Sequence, residues 1–143
     1  MIEQETNNNK IQNKSQPENM GTLENKKIYD LNERLLVFAR RILGICKQLP
    51  RLPECEGVRR QLADAGTSIG ANFEEADAAL TKKDFINKTN ISRKEAKETR
   101  FWLRGISGIF IGEAEVKADI RESEEIISIL SSMLLKSGAK KVR

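Results

Sequence analysis

No histidine occurs in the chain. That absence removes imidazole general bases, histidine-assisted nucleophiles and histidine metal ligands together. Cysteine is almost as scarce. Cys46 and Cys55 form no CxxC pair and have no metal-ligating neighbours, so they read as reduced thiols of a cytosolic protein. Aromatic residues make up only 5% of the chain, so the core has to be aliphatic. Proline stands only at Pro17, Pro50 and Pro53, and nothing after Pro53 forbids long helices. No apolar run approaches membrane-spanning length, and the opening MIEQETNNNK lacks the apolar stretch of a signal peptide. The expectation is a cytoplasmic protein with no membrane contact.

What the chain has in quantity is charge and helix formers. Charged residues make up 32%, and the net charge of +4 is a weak lean towards anionic partners. Its distribution is more informative. Residues 81–112 hold eight basic and three acidic residues, whereas residues 51–80 hold three basic and six acidic. At 143 residues the chain has the length for one domain with a single core.

Residues 1–26 are polar, with few apolar anchors, and are expected to form a disordered tail. After them the apolar residues recur at alternating steps of three and four, the spacing of one helix stripe. The first stripe is Ile28, Leu31, Leu35, Phe38, Ile42, Ile45 and Leu49, ended by Pro50 and Pro53. The second is Leu62, Gly66, Ile69, Phe73, Ala76 and Leu80. Thr81 and Asp84 form a capping-box start for the third helix. Its stripe is Phe85, Thr89, Ser92, Ala96, Thr99, Leu103, Ile106 and Phe110. The fourth is Val116, Ile120, Ser123, Ile127, Leu130 and Leu134, with Gly138 suited to a C-terminal cap. Four such helices on short connections predict an all-α, antiparallel up-and-down four-helix bundle over residues 27–137, with a basic tail at 138–143.

Two stretches invite a chemical reading and fail it. GTSIGANFEEA, residues 66–76, contains glycines but no Lys-Ser/Thr after the second one, and no strand precedes it. It is therefore neither a Walker loop nor a dinucleotide fingerprint. It reads as a packing motif: Gly66, Ser68, Gly70 and Ala71 are expected to face Ser92, Ala96 and Thr99 on the third helix. Asn72 and Glu75 are expected to be partly buried, with Glu75 at a helix or subunit contact and Glu74 in water. Glu74, Glu75, Glu95 and Glu98 on adjacent helices suggest a di-metal site, but the Glu-x-x-His motif of such bundles is missing. No metal, no cofactor and no catalytic residue is expected.

The basic residues of the third helix are better organised. Arg93, Lys97, Arg100 and Arg104 fall within roughly a 60° sector, about 100° from the core stripe. Lys94, Lys82, Lys83 and Lys88 add to the same element. Such a row can track a phosphate backbone, or it can be an ordinary solvated face with salt bridges such as Glu98 to Lys94. Phe101 points nearly opposite the core stripe and Trp102 to its flank. Two adjacent aromatics there argue for a second buried surface, with another copy of the chain as its first candidate.

The run from Gln61 to Ser107 also resembles a family of bacterial four-helix-bundle proteins, first noted as encoded by intervening sequences within large-subunit ribosomal RNA genes. The marks are Ser68, Ile69, Asn72 and Glu75; the start Lys83, Asp84 and Phe85; and the run from Ile91 to Leu103, which includes Glu95, Glu98 and Trp102. A weaker likeness extends over residues 28–136. One departure is Ala76, where the family usually has glycine. The resemblance implies an up-and-down bundle assembled as a homopentamer with a central channel, and no known enzymatic activity. It also implies a similarity to accessory proteins of diversity-generating retroelements, which are pentamers that bind nucleic acid and a reverse transcriptase. Together the residues and the resemblance predict a non-enzymatic oligomer that binds nucleic acid, structured RNA above all, through Arg93, Lys94, Lys97, Arg100 and Arg104. The alternative is a protein-interaction module or accessory subunit.

Overall fold

The computed structural model describes the backbone of residues 23–139 and the side chains of residues 31–139. Four helices follow one another: α1 (Leu23–Gln48), α2 (Pro53–Asp77), α3 (Lys82–Ile106) and α4 (Glu113–Lys136). Each packs against its neighbour in the chain, and α4 returns to α1, which closes an all-α four-helix bundle. Helix α1 begins inside the expected polar tail. Residues 1–22 of that tail and residues 140–143 of the basic one lie outside the described residues, as does the side chain of Ile28.

Local chemistry sets the ends of these helices. Pro53 opens α2, where a missing N–H costs nothing. The Thr81 hydroxyl accepts from the Asp84 backbone N–H at 3.1 Å and starts α3. Gly108 (φ +77°) and Gly138 (φ +80°) take left-handed conformations after α3 and α4. The end of α1 is closed by a side chain from the next helix. Arg59 donates to the carbonyls of Cys46, Leu49 and Pro50 at 3.2, 2.9 and 2.9 Å, and it also pairs with Glu56. A guanidinium suits this task because it offers five N–H donors in a fixed plane and stays charged.

The stripes read from the sequence form the core. Leu35, Phe38, Ile42, Leu62, Ile69, Phe73, Leu103, Ile106, Val116 and Leu130 are all buried. Backbone carbonyls satisfy two of the small hydroxyl residues that α3 contributes, whereas the buried Thr89 hydroxyl has no partner. Ser92 Oγ donates to the Ile69 carbonyl of α2 at 2.7 Å, and Thr99 Oγ1 to the Glu95 carbonyl at 2.8 Å.

Some placements differ from expectation. Gly66 and Gly70 face α1, not α3. A Cβ on Gly66 would stand 2.5 Å from Ile42 Cγ2 and 2.9 Å from Ile42 Cβ, and one on Gly70 would stand 3.3 Å from Leu35 Cβ. Of the small residues of α3, Ser92 meets α2 at the Ile69 carbonyl, on another face of that helix. Ala71 is exposed and does not take part in a helix contact. Leu80 lies past the end of α2 and is 98% exposed. Glu75 is exposed rather than partly buried, although it does reach α3, where it pairs with Lys88 at 2.5 Å. Phe110 sits half-buried in the turn after α3, beyond that helix.

Ion pairs span the return from α4 to α1. Arg34 grips Glu122 through two hydrogen bonds of 2.6 and 2.9 Å and Glu125 through a third of 2.5 Å. The hydrogen bonds to Glu122 hold the guanidinium more firmly protonated than usual, against the opposing effect of its partial burial. One heptad on, Arg41 Nε stands 2.8 Å from Asp119 Oδ1, held by charge but off the axis of a hydrogen bond. Asp119 is 4% exposed. Burial pushes its carboxyl above the usual carboxylate range, and Arg41 only partly restores it.

Two predictions follow from this packing. Gly66→Ala forces Ile42 to move, and urea denaturation should show a loss of about 1–3 kcal/mol. Gly44→Ala is the control: its Cβ meets nothing within 4 Å, so stability should hold or rise by up to about 1 kcal/mol. Equal effects at the two sites would refute the close approach. For Asp119, the folded carboxyl binds its proton at higher pH than the unfolded one does. Stability is therefore lost as pH rises from the unfolded value through the raised folded value. Relative to Asp119→Asn, the parent should gain stability when denaturation at pH 4 is compared with pH 6.5. The opposite trend would mean that Arg41 outweighs burial.

Candidate nucleic-acid interface

Helix α3 divides the surface. Its buried row, Thr89, Ser92, Ala96, Thr99, Leu103 and Ile106, fixes which way every other position turns. The row Arg93, Lys97, Arg100 and Arg104 turns towards α4, where Arg93 Nε donates to Ser131 Oγ at 2.8 Å. Lys97 and Arg104 are exposed, and Arg93 and Arg100 are half-buried. Lys94 stands exposed on the outer face. Among the described residues none of these five cations has a carboxylate within 4.0 Å. The expected alternative of a Glu98–Lys94 bridge is not formed. Lys88, by contrast, is taken up by Glu75 on the other flank.

That other flank is acidic and faces α2. Burial first, and then the nearby charges of Glu98 and Asp64, raise the Glu95 carboxyl above its ordinary value. Glu98 accepts from Trp102 Nε1 at 3.3 Å. Trp102 packs its half-buried ring against the core, while Phe101 is 64% exposed. The two rings meet edge to face, with centroids 5.0 Å apart and planes at 77°. One ring is thus anchored and the other open.

The remaining motif residues carry no ligand cradle. Ser68 Oγ donates to the Asp64 carbonyl at 2.5 Å, and Asn72 Nδ2 to the Ser68 carbonyl at 2.8 Å. Both are spent on their own helix. Glu75 pairs with Lys88, and Glu98 accepts from the Trp102 ring N–H. Among the described residues no group of three or more Asp, Glu or Cys side chains converges as a metal site would require, and no helix is long and apolar enough to cross a membrane. Cys46 and Cys55 are unpaired and buried.

The sequence reading missed Arg34, Arg41 and Asp119. A signal was present: two arginines one heptad apart on α1, and Asp119, Glu122 and Glu125 at helical spacing on α4. Only α1–α4 proximity gives those spacings a meaning.

Comparison with known proteins adds the following. Residues 27–132 match the family model described as 23S rRNA-intervening sequence protein. A solved structure from Bacteroides thetaiotaomicron, a protein of unknown function from the S23 ribosomal protein family, is similar at 36% identity with a TM-score of 0.70. The similarity covers 76% of this chain and 97% of that one. No curated protein matches.

Proposed function

The chain belongs to the 23S rRNA-intervening sequence protein family, and from that premise we propose a non-enzymatic bundle protein that binds structured RNA through the α3 surface. The observation that carries this reading is the row Arg93, Lys97, Arg100 and Arg104. It is a contiguous set of cations, with Lys94 beside it, left without carboxylate partners among the described residues. Three arginines elsewhere, Arg34, Arg41 and Arg59, are by contrast spent on structure. A row left unpaired is available to phosphates, and the family's name supports RNA as their source. Binding of this kind is dominated by counterion release.

Replacing Arg93, Lys97, Arg100 and Arg104 together by Ala should abolish retention of RNA on a filter while circular dichroism stays unchanged. The parent's affinity should fall steeply with salt, by a log–log slope of about 0.9 for each phosphate neutralised. A quadruple variant that binds like the parent would remove the row from the site.

A second reading is an interaction module or accessory subunit, favoured by the open ring of Phe101 beside Trp102. Here another copy of the chain covers the pair, in a pentamer if the family likeness extends that far, or a protein such as a reverse transcriptase docks there. Light scattering tests self-association. An oligomer whose mass falls with Trp102→Ala, by more than unfolding accounts for, would favour this reading; a monomeric parent would sink its self-association form.

A further inference from the structure

The proposed RNA surface contains one residue that phosphate binding does not use. Phe101 lies among the cations: Lys97 and Arg104 stand one turn to either side of it, and Lys94 two turns before. A phenyl ring 64% exposed adds nothing to the core. Its position is nevertheless held. Trp102 meets it edge to face at 5.0 Å, and Trp102 is itself fixed by core packing and by its ring N–H on Glu98. An edge-to-face contact occupies at most one face of the phenyl ring. The surface one turn beyond the ring is bare, because Gly105 is exposed and a Cβ there would meet nothing within 4 Å. The arrangement is a propped aromatic with an open face and cations about 10 Å apart along the helix on either side of it.

Resting on the RNA reading above, we propose that Phe101 is a stacking platform for an unpaired base. The site would then take a single-stranded segment, such as a loop or bulge, rather than a plain duplex. Lys97 and Arg104 contact the phosphates that flank the stacked nucleotide. The chemistry fits each part: a base offers a π-face that any aromatic can accept, and unpaired bases are the ones free to leave their own stack. A blunt duplex meets the cations equally well but has no base to give. The competing occupant of the ring is a second copy of the chain. In a two-fold contact of the patch with itself, Lys94, Lys97 and Arg104 of each copy would be brought together, a juxtaposition of like charges that opposes the contact; a head-to-tail ring does not pair the patches in this way, and the light-scattering arm below decides that case.

The test compares two probes, a short oligoadenylate and a blunt RNA duplex of the same length, on the parent, Phe101→Ala and Phe101→Tyr. Because Trp102 is the only tryptophan, its fluorescence reports events at the neighbouring ring. In the parent, oligoadenylate should change Trp102 emission more than the duplex does. Phe101→Ala should lower affinity for oligoadenylate relative to duplex by about tenfold, the scale of one aromatic–base stack. Phe101→Tyr should restore the ratio. A ratio unmoved by Phe101→Ala overturns the platform while leaving the cationic row as an RNA site. Light scattering in which Phe101→Ala dissociates a complex of the parent, with the ratio unmoved, assigns the ring to self-association instead. A parent that binds neither probe at low salt overturns both this inference and the function on which it rests.

Discussion

The close approach of α1 and α2 is the contact on which the rest of the bundle depends. At Gly66 no side chain stands between the α2 backbone and Ile42, and at Gly70 the same is true for Leu35. Each glycine costs about 1 kcal/mol of helix propensity relative to alanine. The cost is offset by the apolar contact that the missing Cβ allows. With α1 seated on one side of α2, the Ile69 backbone is presented on the other, and Ser92 of α3 reaches it. The orientation of α3 follows from this hydrogen bond and from the buried row around it. That orientation turns Arg93, Lys97, Arg100 and Arg104 to the α4 side and Glu95 and Glu98 towards α2.

The bundle closes by different means on its last side. Between α4 and α1 ion pairs join the two helices, through Arg34 with Glu122 and Glu125, and through Arg41 with Asp119. Exposed ion pairs contribute little, and a buried carboxylate costs desolvation that its partner has to repay. The raised Asp119 carboxyl shows that repayment here is incomplete. The value of these pairs lies in register: they align α4 against α1 at two points one heptad apart. Charge thus has two separate tasks in this protein. Arg34 and Arg41 on α1 are paired with carboxylates of α4 and align the two helices, and the row Arg93, Lys97, Arg100 and Arg104 on α3 is left open.

Much of the fold was legible in the sequence, because helix packing writes itself as a period of three and four. The stripe from Leu31 to Leu49 is buried as read, and Thr81 caps α3 as its spacing to Asp84 predicts. The misreadings share one cause. A stripe says which face of a helix is inside but not which neighbour it meets. Gly66 and Gly70 were assigned to α3 because small residues wait there too, yet they meet α1. Leu80 kept the period but fell beyond the helix, because Asp77 and the turn after it end α2 first. The candidate site was legible in part. The rotation of the basic row and of Phe101 follows from helix geometry alone, whereas their lack of partners does not.

The sequence by itself determined the helices, their inward faces, the absence of histidine chemistry and the row of cations on α3, since each depends only on residue type and local spacing. The tertiary structure alone decided which helix the glycines admit, how Asp119 comes to be buried opposite Arg41, and why Arg59 ends a helix it does not belong to. It also decided that Lys88 is neutralised while Lys97 and Arg104 are not. Those are contacts between residues far apart in the chain, and the strength of a charge–charge interaction depends on distance and burial that no local pattern records.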